Sequence, residues 1–367
     1  MPYTLALTYN LKPPVSAVAD EPEDAYSEFD SAKTIQRIAG ALRANGHHVY
    51  LVEATPDLVT WFRAHRVDLV VNLAEGASGE ARESRVPAIL DFLGIPYTGS
   101  GVFALALALD KGRAKHLFRA AGIPTPAFQV VTRPETSLDP ALRFPLIVKP
   151  NREGSAKGIW ASSVVATPAE AARQVERVLA QYDQPVLIEE FIEGTELTVG
   201  LLGDDVLPVL EIDFSSCEGS GERFYSWRMK EYQGDHTQRL TPTFWCPARL
   251  APAVVARVQA AARRAHEAIG CRDLSRVDVR LSADGTPYVL EVNPLPGLDP
   301  DDSNYPVMAR AAGLDHPALL ERLVQLAAAR TAVASSMPSS VNARTAPAPA
   351  LAGGMATLWP SRGGRCP

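Results

Sequence analysis

Two apolar periods alternate along the N-terminal third of the chain. Residues 3–9 (YTLALTY) are a short apolar run that predicts a strand, and the polar, proline-rich, acidic stretch 11–30 reads as a loop. From Ser31, a good capping residue, Ile35, Ile38, Ala39 and Leu42 recur at helical spacing until Gly46. Residues 48–52 and 67–73 (VDLVVNL) predict two more strands. Val86, Ile89, Leu90 and Leu93 then fall on one helical face that stops at Gly94. Strand, helix, strand, helix is the order of a parallel sheet with crossover helices, so 1–108 is expected to be an α/β unit.

The pattern then changes. Asp110 is placed to cap a helix reaching Ala121, and FPLIVKP (144–150) is an apolar strand ending in a lysine. A polar loop, NREGSAKGI (151–159), leads to a helix over 168–182 and a strand over 185–192, which makes 109–195 a second unit. The third, 196–330, holds strands at 197–202 and 206–213, a polar loop over 215–240, a helix over 251–269, a hairpin over 276–293 and a last helix over 316–330. These two units read as α+β. Residues 331–367 are Ala, Ser, Pro and Gly with little aliphatic periodicity, and are expected to be a disordered tail.

Composition narrows the class. Apolar residues make up 46% and charged residues 21% of 367 positions, a globular balance. Acids exceed bases by 42 to 36, so the basic surplus of a nucleic-acid binder is missing. No apolar run approaches the ~20 residues of a membrane span. The opening MPYTLALTYNLKPP lacks a secretory pattern, and Cys217, Cys246, Cys271 and Cys366 form no CxxC. A reduced, cytoplasmic setting is the expectation.

The hairpin RVDVRLSADGTPYVLEVN carries the most chemistry. Arg276, Asp278 and Arg280 alternate with Val277, Val279 and Leu281, while Val289, Glu291 and Asn293 are expected on one face of the return strand. A two-residue Asp284–Gly285 turn pairs Ala283 with Thr286, which sets Asp278 opposite Glu291 and Arg276 opposite Asn293. Facing carboxylates repel unless a cation lies between them. An oxygen set of Asp, Glu and Asn suits Mg²⁺ or Mn²⁺. Neutralisation by Arg276 and Arg280 on a solvated face is the alternative, and a bulge would spoil the pairing.

A nucleotide would find further partners. Lys149 ends a strand, and the loop after it offers Gly154, Ser155 and Gly158 amides to an anion. Lys111 stands in the first turn of a helix, where the helix dipole disfavours a cation unless an anion joins it. Glu189, Glu190, Phe191 and Ile192 end a strand suited to a base and a ribose, with Glu196 nearby. Each lysine or acid taken by itself reads first as a solvated surface charge.

Together these segments resemble the ATP-grasp superfamily, and within it the D-alanine–D-alanine ligases. LGIPYTGSG (93–101) with ALDKGRAKHLFRAAGIPTP (108–126) is similar to the family's inter-domain segment and its ATP-binding Lys111. FPLIVKPNREGSAKGI resembles the second lysine strand and phosphate loop, LIEEFIEGTELTVGLLG the adenine and ribose strand, and SRVDVRLSADGTPYVLEVNPLPGL the magnesium hairpin. The resemblance implies a pre-ATP-grasp domain over 1–108, a small lid subdomain over 109–195 and a metal-bearing subdomain over 196–330. It also implies ATP and Mg²⁺, two small amino acids, an acyl phosphate and a dipeptide, with a family-level expectation of a homodimer. Arg276, Ser155 and Lys230 are the implied catalytic groups. Lys111, Lys149, Ser155, Glu189, Glu190, Phe191, Ile192, Glu196 and Lys230 are implied at ATP, and Asp278, Glu291 and Asn293 at the metal. The family's early substrate-binding glutamate has no clear counterpart here, so Glu28, Asp30, Glu75 and Glu80 all stand as candidates. LPGLDPDDSNYP (295–306) also departs from the family at the acceptor, which leaves open a related ligase with another amino acid or a larger substrate.

Overall fold

The computed structural model describes residues 2–14, 22–217, 222–232 and 240–336. In chain order the elements are β1 (Thr4–Tyr9), α1 (Ala32–Ala44), β2 (His48–Glu53), α2 (Leu58–Ala64), β3 (Leu69–Asn72), α3 (Arg85–Leu93), α4 (Val102–Leu109) and α5 (Lys111–Ala120). Next come β4 (Phe128–Val131), β5 (Leu146–Pro150), β6 (Val164–Val165), α6 (Pro168–Tyr182), β7 (Val186–Glu190), β8 (Thr195–Leu202), β9 (Asp205–Val206) and β10 (Leu210–Asp213). The chain continues through α7 (Trp227–Glu231), β11 (Thr243–Trp245), α8 (Pro252–Ile269), β12 (Leu274–Leu281), β13 (Pro287–Asn293), α9 (Asn304–Ala311) and α10 (His316–Ser336).

Strands β2, β1 and β3 form a parallel sheet with β1 in the centre. Its central strand is buried on both faces, so it reads as an unbroken apolar run rather than an alternating one. Leu5 and Leu7 enter one core, and Ala6 enters another with Phe62 and Leu90. Ser31 caps α1 by accepting from the Thr34 amide, a contact worth about 1 kcal/mol. Asp110 caps α5 in the same way through the Arg113 amide.

The other two sheets are antiparallel. One runs β4-β7-β5-β6 and has its own core with α6. The other runs β11-β10-β8-β12-β13, with β9 on β8, and packs against α8. Its opposite face shares one core with the parallel sheet: Leu5, Leu7 and Ile38 meet Leu202, Leu210, Leu320 and Leu323. At Gly194 (φ +141°) the backbone passes so close to β12 that an added Cβ would lie 2.0 Å from the Leu281 carbonyl oxygen.

Several elements depart from the expectations. Helices α2, α4 and α9 and strand β4 are additional to the expected elements, and the strand expected over 206–213 is split into β9 and β10. Helix α10 continues to Ser336, six residues into the stretch expected to be disordered, and 337–367 lies outside the described residues. No helix among the described residues is long and apolar enough to cross a membrane.

Candidate active site

The hairpin brings its acids together by a route the sequence did not suggest. The turn is a three-residue loop closed by the Ser282 amide on the Thr286 carbonyl, so the distal pairs are Leu281 with Pro287, Arg280 with Tyr288 and Val279 with Val289. A two-residue turn predicts a register one residue different. A bulge at Leu290 then restores it, and Asp278 opposes Glu291 while Arg276 opposes Asn293. The bulge also corrects the expected face: Val289 points into the core, fully buried, whereas Glu291 and Asn293 line the cavity.

Arg276 forks onto Asp278 at 2.9 and 2.8 Å, so neutralisation by arginine holds for that acid. Arg280 does not join it, because its guanidinium goes to Glu196 (3.0 Å) and to the Ile192 carbonyl. Glu291 instead meets Lys111 at 3.2 Å. Burial opposes its charge, yet Lys111, Lys149 and Lys230 together hold its carboxyl far below the usual carboxylate range. An ionised glutamate, an aspartate and the Asn293 amide therefore present a hard oxygen set, and these residues fit Mg²⁺ or Mn²⁺.

The lysines converge on the same space. Lys149 lies 2.5 Å from Glu189, and Lys115, fully buried, lies 2.7 Å from the other oxygen of that carboxylate. Burial pushes the Lys115 ammonium down to about 8 in spite of Glu189. Lys111 donates to the Glu153 carbonyl in the loop after β5. Lys230, on α7, sits 5.1 Å above the Tyr225 ring, and burial, reinforced by Arg276, lowers its pKa. Lys111, Lys149 and Lys230 line a cavity of about 350 Å³ that also reaches Ser155 and the 189–192 strand end, with Lys115 behind Glu189.

Three covering segments interlock at its mouth. The Trp227 indole donates to the Ser27 hydroxyl at 2.6 Å, and its amide donates to the Ile159 carbonyl. Asp24 accepts from the Gly158 amide, and Glu28 accepts from the Gly154 amide. The loop after β5 is thus clasped between the N-terminal segment and α7.

Every candidate side chain except Glu80 lines this cavity, but of the loop amides expected at an anion, those of Gly154 and Gly158 are taken by Glu28 and Asp24, and Gly158 does not reach the cavity. Glu80 is exposed beside Arg152 and faces a different hollow. Glu28 is buried but already bonded to Arg82 at 2.7 Å. Glu190 touches the cavity, yet its carboxylate is spent on Arg143. Phe191 packs beside Phe224 and under Arg280. Among the acceptor-loop acids, Asp299 caps the amides of Asp301 and Asp302, Asp301 pairs with Arg37, and Asp302 reaches the cavity. Sequence reasoning missed Lys115, Glu83, Arg82 and Trp227. Only Lys115 had a signal, since four residues after Lys111 it shares the same helical face.

An ATP-grasp arrangement, with a small antiparallel sheet and a larger one that carries the acid hairpin, is the class defined by this fold and site. The family profile described as "D-ala D-ala ligase C-terminus" matches residues 117–325. A D-alanine–D-alanine ligase of Gloeobacter violaceus is 38% identical over 83% of this chain and 96% of its own length. One from Anaeromyxobacter sp. (strain Fw109-5) is 37% identical over 81% and 92%. In fold, the chain is similar to the D-alanine–D-alanine ligase of Bacillus anthracis complexed with ATP (TM-score 0.70, 24% identity, covering 91% of this chain and 99% of that one). The chain belongs to the D-alanine–D-alanine ligase family.

Proposed function

We propose that this protein is an ATP-dependent carbon–nitrogen ligase that joins two small amino acids through an acyl phosphate. The observation that carries this reading is the opposition of Asp278 and Glu291 within a cavity ringed by Lys111, Lys149, Lys230 and Arg276.

Lys111 and Lys149 would hold the ATP phosphates, with Ser155 beside the γ-phosphoryl group. The strand end at Glu189, Glu190, Phe191 and Ile192 would receive the base, and Glu196 the ribose. Mg²⁺ or Mn²⁺ on Asp278, Glu291 and Asn293 would neutralise charge on the phosphoryl group when bound. Arg276 keeps its charge at any working pH and would stabilise the oxyanion that forms when the amine attacks the acyl phosphate. Lys230 would reach over the phosphates from α7. The clasp of α7 on Ser27 keeps water from an intermediate that hydrolysis would otherwise destroy.

The test is ADP and phosphate release by the purified protein with pairs of amino acids, D-alanine included. Release that requires both an amino acid and Mg²⁺ is expected. Silence with every pair would defeat the reading.

A further inference from the structure

The part of the cavity wall next to Lys111 carries more carboxylates than a simple amino acid needs. Glu28, Asp30, Glu75, Glu83 and Glu153 line it, and the cations paired there are Arg82 and Lys157. Five acids against these two cations leave an excess of three, since Lys111, also close to Glu83, is paired with Glu291. Arg82 and Lys157 are both taken by Glu28 and Glu153, and the Gly154 amide also binds Glu28. Glu83 is 8% exposed, faces the cavity, and has no hydrogen bond or ion pair among the described residues. The carboxylates of Asp30 and Glu75 have no hydrogen bond or ion pair among the described residues either. Carboxylate oxygens of Glu28, Glu75 and Glu83 all lie within 4.8 Å of one another. A buried acid without a partner costs stability unless a ligand brings the opposite charge.

Granting the ligase reading, we infer that the carboxylate substrate is a diamino acid whose two ammonium groups are held by Glu75, Glu83 and Asp30. A single ammonium group has three N–H donors and can reach more than one of these carboxylates, but it brings one positive charge against three acids. A second amine on a short side chain supplies the remaining counter-charge and hydrogen-bond donors. Glu28 is left to fasten the loop after β5 to the N-terminal wall. Burial, with the neighbouring acids, pushes Glu75 well above the carboxylate range, and burial, despite Arg82, raises Glu83 to about 7. Both shifts come from burial and from acids crowded together.

The test compares alanine with 2,3-diaminopropionate, 2,4-diaminobutyrate, ornithine and lysine, in both stereochemical forms, as the phosphorylated partner. The full chain is used, with ADP release as one readout and calorimetric binding without nucleotide as the other. One diamino acid is expected to exceed alanine by about tenfold or more in kcat/KM and in affinity, and Glu83→Gln and Glu75→Gln should each lower that ratio by about tenfold. Alanine equal to or better than every diamino acid overturns the inference while sparing the ligase. Loss of both substrates in equal measure in Glu83→Gln and Glu75→Gln overturns it too. Should no pair release ADP, the binding comparison still decides. Mn²⁺ titrated alone is the remaining control: binding lost in Glu83→Gln but kept in Asp278→Asn would assign the acids to a metal and end the proposal.

Discussion

Asp278 and Asp30 show how differently one side-chain type behaves in the same cavity. Asp278 sits in a web of donors, from Arg276, Thr198 and Asn293. Asp278→Asn keeps the size and several hydrogen bonds but loses the charge offered to the metal. It should lower Mg²⁺-dependent ADP release by about 10²–10³ with little change in melting temperature, and unchanged turnover would contradict the metal assignment. Asp30 has no such web, and burial, aided by Asp299, raises its carboxyl to about 7. The folded state then binds a proton that the unfolded chain has released, so stability falls as pH climbs from about 4 to 7 and the deficit is complete above that. Asp30→Asn should therefore raise the melting temperature of the ligand-free protein at pH 8 by at least about 2 °C, with the gain vanishing near pH 4. A gain that is constant across pH would show that the carboxyl does not titrate there.

At the scale of elements, the hairpin of β12 and β13 was half legible. Asp284-Gly285 announced a turn, and the Val-x-Val spacing announced strands, so the pairing of Asp278 with Glu291 could be reached. The turn has three residues rather than two, however, and the bulge at Leu290 restores the pairing that a bulge was expected to spoil. Bulges leave no composition of their own, and only the burial of both Val289 and Val292 reveals this one. Capped, strongly periodic helices such as α1 and α6 were readable for the opposite reason, since each carries its signal locally. The wall of unpartnered acids was not, because Asp30, Glu75 and Glu83 meet only after the parallel sheet has formed. The entry to β8 carries a sharper constraint. Gly194→Ala would drive a methyl group into the Leu281 carbonyl at a φ that side chains avoid, and neither backbone can retreat. A loss of about 3 kcal/mol or more in denaturant unfolding is expected, and a loss below about 1 kcal/mol would mean that the approach relaxes.

Across the whole molecule, the units differ in independence. The β4–β7 sheet closes its own core with α6, whereas the parallel sheet and the C-terminal helices have one between them. Leu323→Ala, far from any ligand, should cost about 2–5 kcal/mol and weaken amide protection in β1 and β3 as much as in α10. Protection lost in α10 alone would refute the common core.

That joint interior bears on how such a ligase acquires a new preference. Recombination that grafts a foreign first hundred residues onto this C-terminal half would pair Leu5, Leu7 and Ile38 with strangers to Leu320 and Leu323, and the hybrid would forfeit its interior before it met a substrate. Selection must therefore retune the acid wall by single exchanges at its rim rather than by trading modules.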